Sequence, residues 1–507
     1  MRLKGGFIKT GIDDELFLVI DQGGHASRVV VFDGHGTQLA SAVRQVSMHQ
    51  PQPDWVEQDA DEIDLSIRQA LTDVAEQLGT HCRHVRAAGL ATQRSNVVCW
   101  DRETGTALSP AISWQDRRAQ HWMQQFSAQR VHIRDLTGLL PSAHYGASKI
   151  HWCLDQLAEV KAAHNRGTLA CGPLASFLLF RLLKAQPFVV DSVNASRTLL
   201  WDWRQRHWSA DLLKMFGLTD KYLPQCVANH YSFGELGITN VSVPLTVCIG
   251  DQSAALFAGG KPEAGTAYIN IGTGAFLQCI TPPMKTENEN PAQANLLRSI
   301  VWDDGDDGIH VLEATVNGAG SALLAEANEL GISVEDAQSQ YADWLATAEN
   351  IPLYLNGISG LGSPFWLPQF SSRFIGPHAN NAQPSEKMVA VLESIVFLLC
   401  LNLEEMHHAG VSLQRIVISG GLSVLDSLCQ RLADISQLPV ERSPQTEATA
   451  KGLAYLLANP EQAWVSANET SHFIPQNNVA LNERYQHWHR ALREAVDKVN
   501  AGQKAEP

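Results

Sequence analysis

One pattern of residues occurs twice in the chain, and it limits the possible folds more than any other feature. In the first half, the apolar run Leu16–Ile20 leads into the polar and glycine-rich stretch Asp21–Gly24, and a second apolar run begins at Val29. In the second half, Ala267–Ile271 leads into Gly272–Gly274, and apolar residues follow. Short apolar runs bounded by glycine predict strands joined by tight turns. Two hairpins of one design indicate an internal duplication with a ligand held between the halves.

A carboxylate follows another buried strand between these two hairpins. The apolar run Val243–Ile249 leads directly into Gly250, Asp251 and Gln252. Glycine at a turn tolerates positive φ, and the exposed N–H groups of such a turn bind phosphate oxygens. A phosphate loop beside a carboxylate indicates phosphoryl transfer. Each motif taken alone also fits a tight turn with a capping aspartate.

Length and charge narrow the class of protein. A chain of 507 residues is too long for one hydrophobic core, so we expect two domains, residues 1–253 and 254–507. The net charge is −15 and no basic run is present, which argues against a nucleic-acid partner. Neither a signal segment nor a membrane span is predicted. Nine scattered cysteines without C-x-x-C spacing are typical of a reduced, cytoplasmic protein.

Polar residues gather after two further predicted strands. Arg94 follows the strand that ends near Ala91, and Trp114, Gln115 and Asp116 follow another. These side chains could share one face of a pocket. They could equally form surface ion pairs, with Trp114 as a core or rim aromatic.

The motifs together resemble the FGGY family of carbohydrate kinases, and within it the glycerol kinases. The matching pieces follow the family's order along nearly the whole chain, which makes their joint occurrence specific. They are Asp21–Gly23 with Ser27 and Arg28, Trp55–Glu57, Gln93–Arg94, Trp114–Arg118, Lys149 with Trp152, Asn194–Thr198, Gly250–Gln252, Gly272–Gly274, Leu361–Gly362 and Gly420–Gly421.

The resemblance implies an α/β fold of two actin-like, ribonuclease-H-like ATPase domains with a central cleft. It implies that the second domain holds most of the ATP and the first most of the polyol or sugar. Asp251 would be the general base, since a carboxylate within reach of an alcohol can take its proton. Asp21, together with Asp251, would help hold Mg²⁺, and Arg28 would face the transferred phosphate.

The resemblance also assigns the remaining site residues. The residues implied to bind substrate are Arg94, Ser95, Trp114, His144, Asp251, Gln252 and Phe276. The residues implied to bind nucleotide are Gly23, Gly24, Arg28, Gly272, Thr273, Gly274, Gly318 and Gly421. A homo-oligomer is expected.

This chain departs from the glycerol kinase pattern at several site positions. Gly24, His25 and Ala26 stand where the family's first loop carries hydroxyl side chains, and His25 either contacts phosphate or only fills the turn. Ser95 replaces a glutamate of the polyol pocket, and His144 replaces a tyrosine. On the adenine side, Ala322 and Leu425 replace a glutamine and an asparagine. A pocket built for hydroxyls discriminates strongly when one partner changes, so the substrate is expected to differ.

Three functions compete on these grounds. The leading hypothesis is ATP-dependent phosphorylation of a primary hydroxyl of glycerol or a related small polyol or ketose. The alternative is a catalytically weakened, kinase-like protein that binds ligand or regulates, which the lost loop hydroxyls favour. An ATPase that uses water as acceptor is disfavoured by the pocket residues Arg94, Trp114 and Gln252.

Overall fold

A computed structural model describes residues 15–281, 295–442, 447–460, 464 and 470–503. The amino-terminal stretch, in which no signal segment is predicted, lies outside these residues up to position 14. Two compact units divide the chain. The first takes its described residues from Met1–Lys261, Ile300–Gly308 and Glu447–Val465, and the second from Pro262–Ser299, Ile309–Thr446 and Ser466–Pro507. The predicted division between residues 253 and 254 stays a prediction.

Strands and helices alternate in both units. The strands in chain order are β1 (Leu16–Gln22), β2 (Ala26–Asp33), β3 (Gln38–Gln45), β4 (Glu57–Gln58), β5 (Val85–Thr92), β6 (Val97–Asp101), β7 (Ala111–Ile112), β8 (Leu169–Pro173), β9 (Val189–Asp191), β10 (Trp201–Asp202), β11 (His207–Trp208), β12 (Gln225–Val227), β13 (His230–Ile238), β14 (Val241–Gly250), β15 (Thr266–Ile271), β16 (Ala275–Thr281), β17 (Leu297–Asp303), β18 (Gly308–Val316), β19 (Leu353–Leu355), β20 (Arg373–Ile375), β21 (Arg415–Ser419), β22 (Val440–Arg442) and β23 (Ser471–Phe473). The helices are α1 (Ala60–Leu78), α2 (Gln120–Gln124), α3 (Arg130–Thr137), α4 (Gly146–Gln156), α5 (Ala158–Arg166), α6 (Leu174–Leu182), α7 (Ser192–Ser196), α8 (Ala210–Phe216), α9 (Asp251–Ala255), α10 (Gly320–Leu330), α11 (Val334–Thr347), α12 (Pro384–His408), α13 (Asp426–Ser436), α14 (Ala448–Ala458) and α15 (Val479–Gln503).

The main sheet of the first unit has the strand order β13-β14-β5-β1-β2-β3. Strand β2 runs antiparallel to both β1 and β3, while β5 runs parallel to both β1 and β14. The carboxyl ends of β1, β5 and β14 therefore lie at one edge of the sheet. Polar residues that follow these three strands are brought together at this edge.

The main sheet of the second unit repeats this plan. Its strands follow the order β18-β16-β15-β21-β22-β23, with β17 at the β18 edge. Strands β15, β16 and β18 are antiparallel, and β21 is parallel to both β15 and β22. The two sheets thus share one order of antiparallel and parallel strands, as the duplicated hairpins predict.

Each unit buries its own hydrophobic core. In the first unit, apolar residues of β1, β2 and β5 pack with α1 and α6. In the second unit, α12 is buried over most of its length and packs against α10, α13 and β19. Pro384 begins α12 at its favoured first-turn position, and the helix ends at His408. Among the helices that the structure describes, none is long and apolar enough to cross a membrane.

Candidate active site

Asp251 begins α9 directly after β14 and lies at the edge where three parallel strands end. Its Oδ1 accepts a hydrogen bond of 2.7 Å from the backbone N–H of Gln252. Burial raises the pKa of Asp251, while the positive charges of Arg94 and Arg197 oppose this rise. A carboxylate with a raised pKa is a stronger base than a free aspartate, which suits it to take a proton from an alcohol.

Arg94 and Gln252, both predicted to bind substrate, contact each other. The Nη2 atom of Arg94 donates a hydrogen bond to Oε1 of Gln252. The aliphatic stem of Arg94 crosses Gly250 so closely that a Cβ built there would lie 2.5 Å from its Cγ and Cδ. Only glycine at position 250 leaves room for the arginine in this place.

Asp21 and Arg28 face each other across the β1–β2 hairpin. They are register partners, and a carboxylate oxygen of Asp21 lies 3.8 Å from Nη1 of Arg28. On the other side, Nε of Arg28 lies 3.5 Å from Oε1 of Glu447. Burial and the negative charge of Asp251 raise the pKa of Asp21 to about 7, and Arg28 opposes this rise.

The two aspartates fit the predicted magnesium role in their chemistry. Mg²⁺ prefers oxygen ligands and is usually held by one or two carboxylates with phosphates and water. Burial raises the pKa values of both Asp21 and Asp251, and a cation bound between them and phosphate oxygens would favour their charged forms. Within the described part of the chain, no group of three or more His, Cys, Asp or Glu side chains could hold a metal ion without further ligands.

The first glycine loop is held by buried amides. Its backbone closes through a bond of 3.0 Å from Gly23 N–H to Ala26 O. Gln22 Nε2 donates to Gly23 O at 2.7 Å, and Gln58 Nε2 donates to Gly24 O at 3.0 Å. Gln93 then donates to the side-chain oxygens of both glutamines, at 3.3 Å to Gln22 and 2.7 Å to Gln58. The loop therefore keeps its shape through these three glutamines, while His25 is exposed.

The predicted polyol pocket has an aromatic wall in the first unit. The rings of Trp114 and His144 lie 5.7 Å apart, and both side chains are partly exposed. Ser95 lies beside them with φ of 65°, a conformation that costs energy in a residue other than glycine. Its hydroxyl is buried without a hydrogen-bond partner.

Lys149 links Ser95 and His144 of this wall through two hydrogen bonds. Its ammonium donates at 2.8 Å to the carbonyl of Ser95 and at 2.5 Å to the carbonyl of His144. Burial lowers the pKa of Lys149 well below its usual value. Burial also lowers the pKa of His144, and the nearby cations lower it further, so that the imidazole is neutral near pH 7.

The segment that carries Trp114 is fixed by a buried arginine. Arg118 stacks on the rings of Trp55 at 4.0 Å and Trp152 at 4.5 Å. It also bonds to Asp116 at 2.9 Å and to Glu57 at 2.6 Å. The alternative of surface ion pairs is thus wrong for Asp116, which is buried.

The second unit carries the other glycine hairpin. Gly272 N–H donates to Gly274 O at 2.8 Å, which closes the turn between β15 and β16. The carbonyl of Thr273 accepts from the N–H groups of Ala319 and Ser321, both at 3.0 Å, so the turn is tied to the start of α10. Thr273 is exposed, and no atom lies within 4 Å of a Cβ built on Gly272. This open side leaves room for a ligand.

The remaining predicted residues of the second unit lie in different surroundings. Gly421 also has open space on its Cβ side, whereas Gly318 is packed against Asn356 and Ile358. Phe276 lies in β16 opposite Asn270 and is partly exposed. The roles of Gly318, Gly421 and Phe276 stay predictions.

The sequence motifs do not identify two groups of residues near the site of the first unit. Glu447 precedes α14, and Thr449 in that helix donates to the carbonyl of Asp251 at 3.3 Å. The buried Asp191 caps the start of α7, the helix that Arg197 directly follows. It accepts hydrogen bonds of 3.0 Å from Asn194 N–H and 2.9 Å from Asn229 Nδ2. Burial raises the pKa of Asp191 to about 6.

Comparisons with known proteins place these features in a family. The N-terminal domain model of the FGGY family of carbohydrate kinases matches residues 16–258, and the C-terminal domain model matches residues 267–459. A glycerol kinase from Shewanella amazonensis is 31% identical, over 96% of this chain and 100% of its own. A glycerol kinase from Trichodesmium erythraeum is 29% identical, over 96% of this chain and 99% of its own.

Solved structures show the same fold. Plasmodium falciparum glycerol kinase with ADP has a TM-score of 0.84 at 24% identity, covering 95% of this chain and 98% of its own. Xylulose kinase from Rhodospirillum rubrum has a TM-score of 0.83 at 18% identity, covering 96% of this chain and 99% of its own. The two-domain α/β fold predicted from the motifs is confirmed by these likenesses.

Proposed function

Because this chain belongs to the FGGY family of carbohydrate kinases, we propose that it transfers the γ-phosphoryl group of ATP to a primary hydroxyl of glycerol or a related small polyol or ketose. The glycerol kinases among its relatives support this class of acceptor. The observation that carries the proposal is the position of Asp251, at a strand end, with a raised pKa and beside Arg94 and Gln252. A base of this kind is what alcohol phosphorylation needs.

In the proposed reaction, the acceptor oxygen attacks the γ-phosphorus. A bond forms between that oxygen and phosphorus, the bond from phosphorus to the bridging β,γ-oxygen breaks, and ADP leaves with the electron pair. Asp251 takes the proton of the acceptor hydroxyl as the loose phosphoryl group transfers. The imidazole of His144 is neutral near pH 7, so it can accept a hydrogen bond from a substrate hydroxyl.

Positive charge and backbone N–H groups hold the phosphates in this proposal. Arg28 compensates the charge that develops on the transferred group, since it is kept at the first loop by Asp21 and Glu447. Bound Mg²⁺, held by Asp21 and Asp251 with phosphate oxygens, would supply further charge compensation. The turn at Gly23 and Gly24 in the first unit and the turn at Gly272, Thr273 and Gly274 in the second are the proposed phosphate-binding segments.

A second candidate is a kinase-like protein that binds ligand with little transfer. The observation in its favour is the first loop, where Gly24, His25 and Ala26 offer no hydroxyl to a phosphate. Against it stands the amide network of Gln22, Gln58 and Gln93, which fixes the loop backbone without any hydroxyl. We therefore keep the active kinase as the first proposal.

The nine free thiols support a reducing, cytoplasmic location, and a homo-oligomer stays a prediction.

A coupled assay of ADP release tests the proposal. The acceptors are glycerol, erythritol, ribitol, xylulose and ribulose, with Mg-ATP, and Asp251→Asn serves as the blank. We expect acceptor-dependent ADP release that falls at least about 10³-fold in Asp251→Asn. Asp211→Asn, at an exposed aspartate of α8, is the matched control and should retain turnover. Turnover that persists in Asp251→Asn would show that Asp251 is not the general base. A rise in melting temperature with Mg-ATP, without turnover of any acceptor, would favour the kinase-like binding protein.

A further inference from the structure

Asp191 is a buried carboxylate that the proposed reaction does not use. Its Oδ1 accepts hydrogen bonds of 3.0 Å from Asn194 N–H and 2.9 Å from Asn229 Nδ2. Its Oδ2 accepts bonds of 2.7 Å from Asn194 Nδ2 and 3.4 Å from the thiol of Cys248. These four donors are uncharged, and Asp191 is 0% exposed. A buried carboxylate costs folding free energy, so a position that keeps one is a candidate for a functional role.

The donors to Asp191 join α7 to the strand that delivers Asp251. Cys248 lies in β14, three residues before Asp251. The backbone of Cys248 is fixed by Asn229, whose Nδ2 donates to Cys248 O at 2.8 Å and whose carbonyl accepts from Cys248 N–H at 3.0 Å. The same Nδ2 group also donates to Asp191. Asp191 therefore holds the end of β14 through two neighbouring side chains.

Asn194 extends this network to the centre of the sheet edge. Its Oδ1 accepts a bond of 3.4 Å from the hydroxyl of Thr92, the last residue of β5. Thr92 is the register partner of Gln22 in β1 and of Gly250 in β14. The network thus reaches β5 and β14, two of the three strands whose carboxyl ends meet at the site.

The far end of α7 brings a cation to the site. Arg197 directly follows α7, and its positive charge acts on the carboxylate of Asp251 and on the imidazole of His144. Its carbonyl accepts a bond of 3.2 Å from Gly146 N–H, in the first residue of α4. A shift of α7 would therefore move this charge and the segment that follows His144 together.

We propose that Asp191 is a positioning residue for phosphoryl transfer, which holds α7 with Arg197 and the end of β14 with Asp251 in one fixed arrangement. This inference rests on the proposed kinase function and adds a residue that acts through others. A base displaced by about 1 Å lowers a reaction rate about 10²-fold, so a fixed strand end matters for kcat. Capping of α7 alone is a different role, because Asn caps a helix start as well as Asp does.

Asp191→Asn separates these two roles. The variant keeps the cap, but its NH₂ group takes the place of Oδ2 and meets the NH₂ group of Asn194, so the network loses a hydrogen bond. We expect kcat to fall roughly 10- to 100-fold while the KM for Mg-ATP stays within about twofold, since the network contains no residue assigned to the nucleotide. Asp211→Asn, at an exposed position of α8, is the matched control and should retain both values.

Exchanging the two side chains tests the network itself. In the double variant Asp191→Asn/Asn194→Asp, the amide at position 191 donates to the carboxylate at position 194, which still accepts from Thr92. We expect this double variant to recover kcat to within about fivefold of the unmodified protein. Asn194→Asp alone brings two carboxylates together and should lose activity. Full kcat in a folded Asp191→Asn protein, or no recovery in the double variant, overturns the inference.

Thermal melting at pH 8 shows whether a loss of activity comes from unfolding. Burial raises the pKa of Asp191 to about 6, above the free value of 3.8, so the favourable contribution of the protonated carboxyl is lost as the pH rises through about 6. Removal of the charge at pH 8 thus offsets the lost hydrogen bond, and we expect the melting temperature of Asp191→Asn to change by less than about 4 °C. If Asp191→Asn does not fold, Thr92→Val decides instead. A several-fold lower kcat in this nearly isosteric variant supports the inference, and an unchanged kcat overturns it.

Hydrogen exchange keeps this inference separate from the kinase proposal. If the unmodified protein turns over no acceptor, the kinase proposal fails, and amide exchange followed by mass spectrometry still measures the arrangement. Faster exchange in Asp191→Asn at both 192–198 and 251–256, reversed in the double variant, supports the inference. Unchanged exchange at either segment overturns it.

Discussion

Asp21 and Arg28 are direct cross-strand partners whose charged groups lie 3.8 Å apart, and the same arginine lies 3.5 Å from Glu447. Asp21 therefore receives only part of the arginine's charge. Burial and the negative charge of Asp251 raise the pKa of Asp21 to about 7, and the positive charge of Arg28 offsets only part of this rise. This triad links the electrostatics of the first loop to residues far along the chain.

The first prediction concerns stability. The pKa of Asp21 is about 7 in the folded protein against 3.8 for a free aspartate, so the folded state binds the proton more tightly. Its favourable contribution is fully present below about pH 4 and is lost as the pH rises through about 7. We expect Asp21→Asn to be more stable than the unmodified protein at pH 8, by about 1 to 4 kcal/mol, and the difference to shrink towards pH 4.

Urea unfolding at several pH values in EDTA measures this difference. Asp211→Asn, at an exposed position, is the control and should show little change with pH. A difference that grows as the pH falls would contradict the assigned direction of the Asp21 pKa.

The second prediction concerns Glu447. Its negative charge raises the pKa of Asp21, so its removal lowers that pKa. We expect Glu447→Gln to move the acid limb of the kcat/KM profile to lower pH by roughly a few tenths of a unit. Glu76→Gln, at an exposed residue of α1, should leave the limb in place. A shift to higher pH in Glu447→Gln would refute the link to Asp21.

The third prediction separates two glycines of one turn. A Cβ at Gly274 would meet the carbonyl oxygens of Val316 at 2.9 Å and Asn317 at 3.1 Å, whereas one at Gly272 meets no atom within 4 Å. We expect Gly274→Ala to destabilise the protein by about 1 to 3 kcal/mol. Gly272→Ala should keep its melting temperature and raise the KM for ATP roughly tenfold, since the methyl group would fill the phosphate space.

Thermal melting and steady-state kinetics on both variants make this comparison. Equal loss of stability in the two variants would contradict the difference in packing between Gly274 and Gly272. An unchanged KM for ATP in Gly272→Ala would show that this turn does not bind the nucleotide.

The fourth prediction concerns the support of Asp251. Gly452 of α14 lies so close to α9 that a Cβ there would overlap the carbonyl oxygen of Ala254. We expect Gly452→Ala to push α9 away, to cost about 2 to 3 kcal/mol and to lower kcat several-fold. Gly259→Ala, where a Cβ has open space, is the control. Full kcat in a folded Gly452→Ala protein would show that α14 does not position Asp251.

Much of the fold follows from local patterns in the sequence. Apolar runs ending in polar residues predict β1, β14 and β15 almost to the residue, and Pro384 marks the start of α12. Asp21 and Asp251 stand out in the sequence because Asp21 is the next-to-last residue of β1 and Asp251 directly follows β14, two strands that run parallel to β5. Polar residues at the carboxyl ends of parallel strands are therefore good candidates for site residues.

Other parts of the site have no local signal. Glu447 and Gly452 meet Arg28 and α9 only through tertiary packing of a helix from the end of the chain. The sequence alone suggests that Arg117 is a surface residue, and only the structure shows its hydrogen bonds to backbone carbonyls. The orphaned donors of Ser95 and Asn96 are likewise visible only when every hydrogen bond around them is known.

The first unit includes the described residues 447–460 and 464, and this has a consequence for synthesis. The indole of Trp464 fills the space beside Gly36, where a Cβ would lie 2.5 Å from its ring, and bonds to Gly34 O at 3.0 Å. At 5–20 residues per second, a ribosome adds Glu447 roughly 10 to 40 s after Lys261. During that interval the nascent first domain exposes the surface that α14 later covers, and chaperones can bind it. A stop codon at position 447 therefore removes part of the first unit as well as the carboxyl-terminal part of the second.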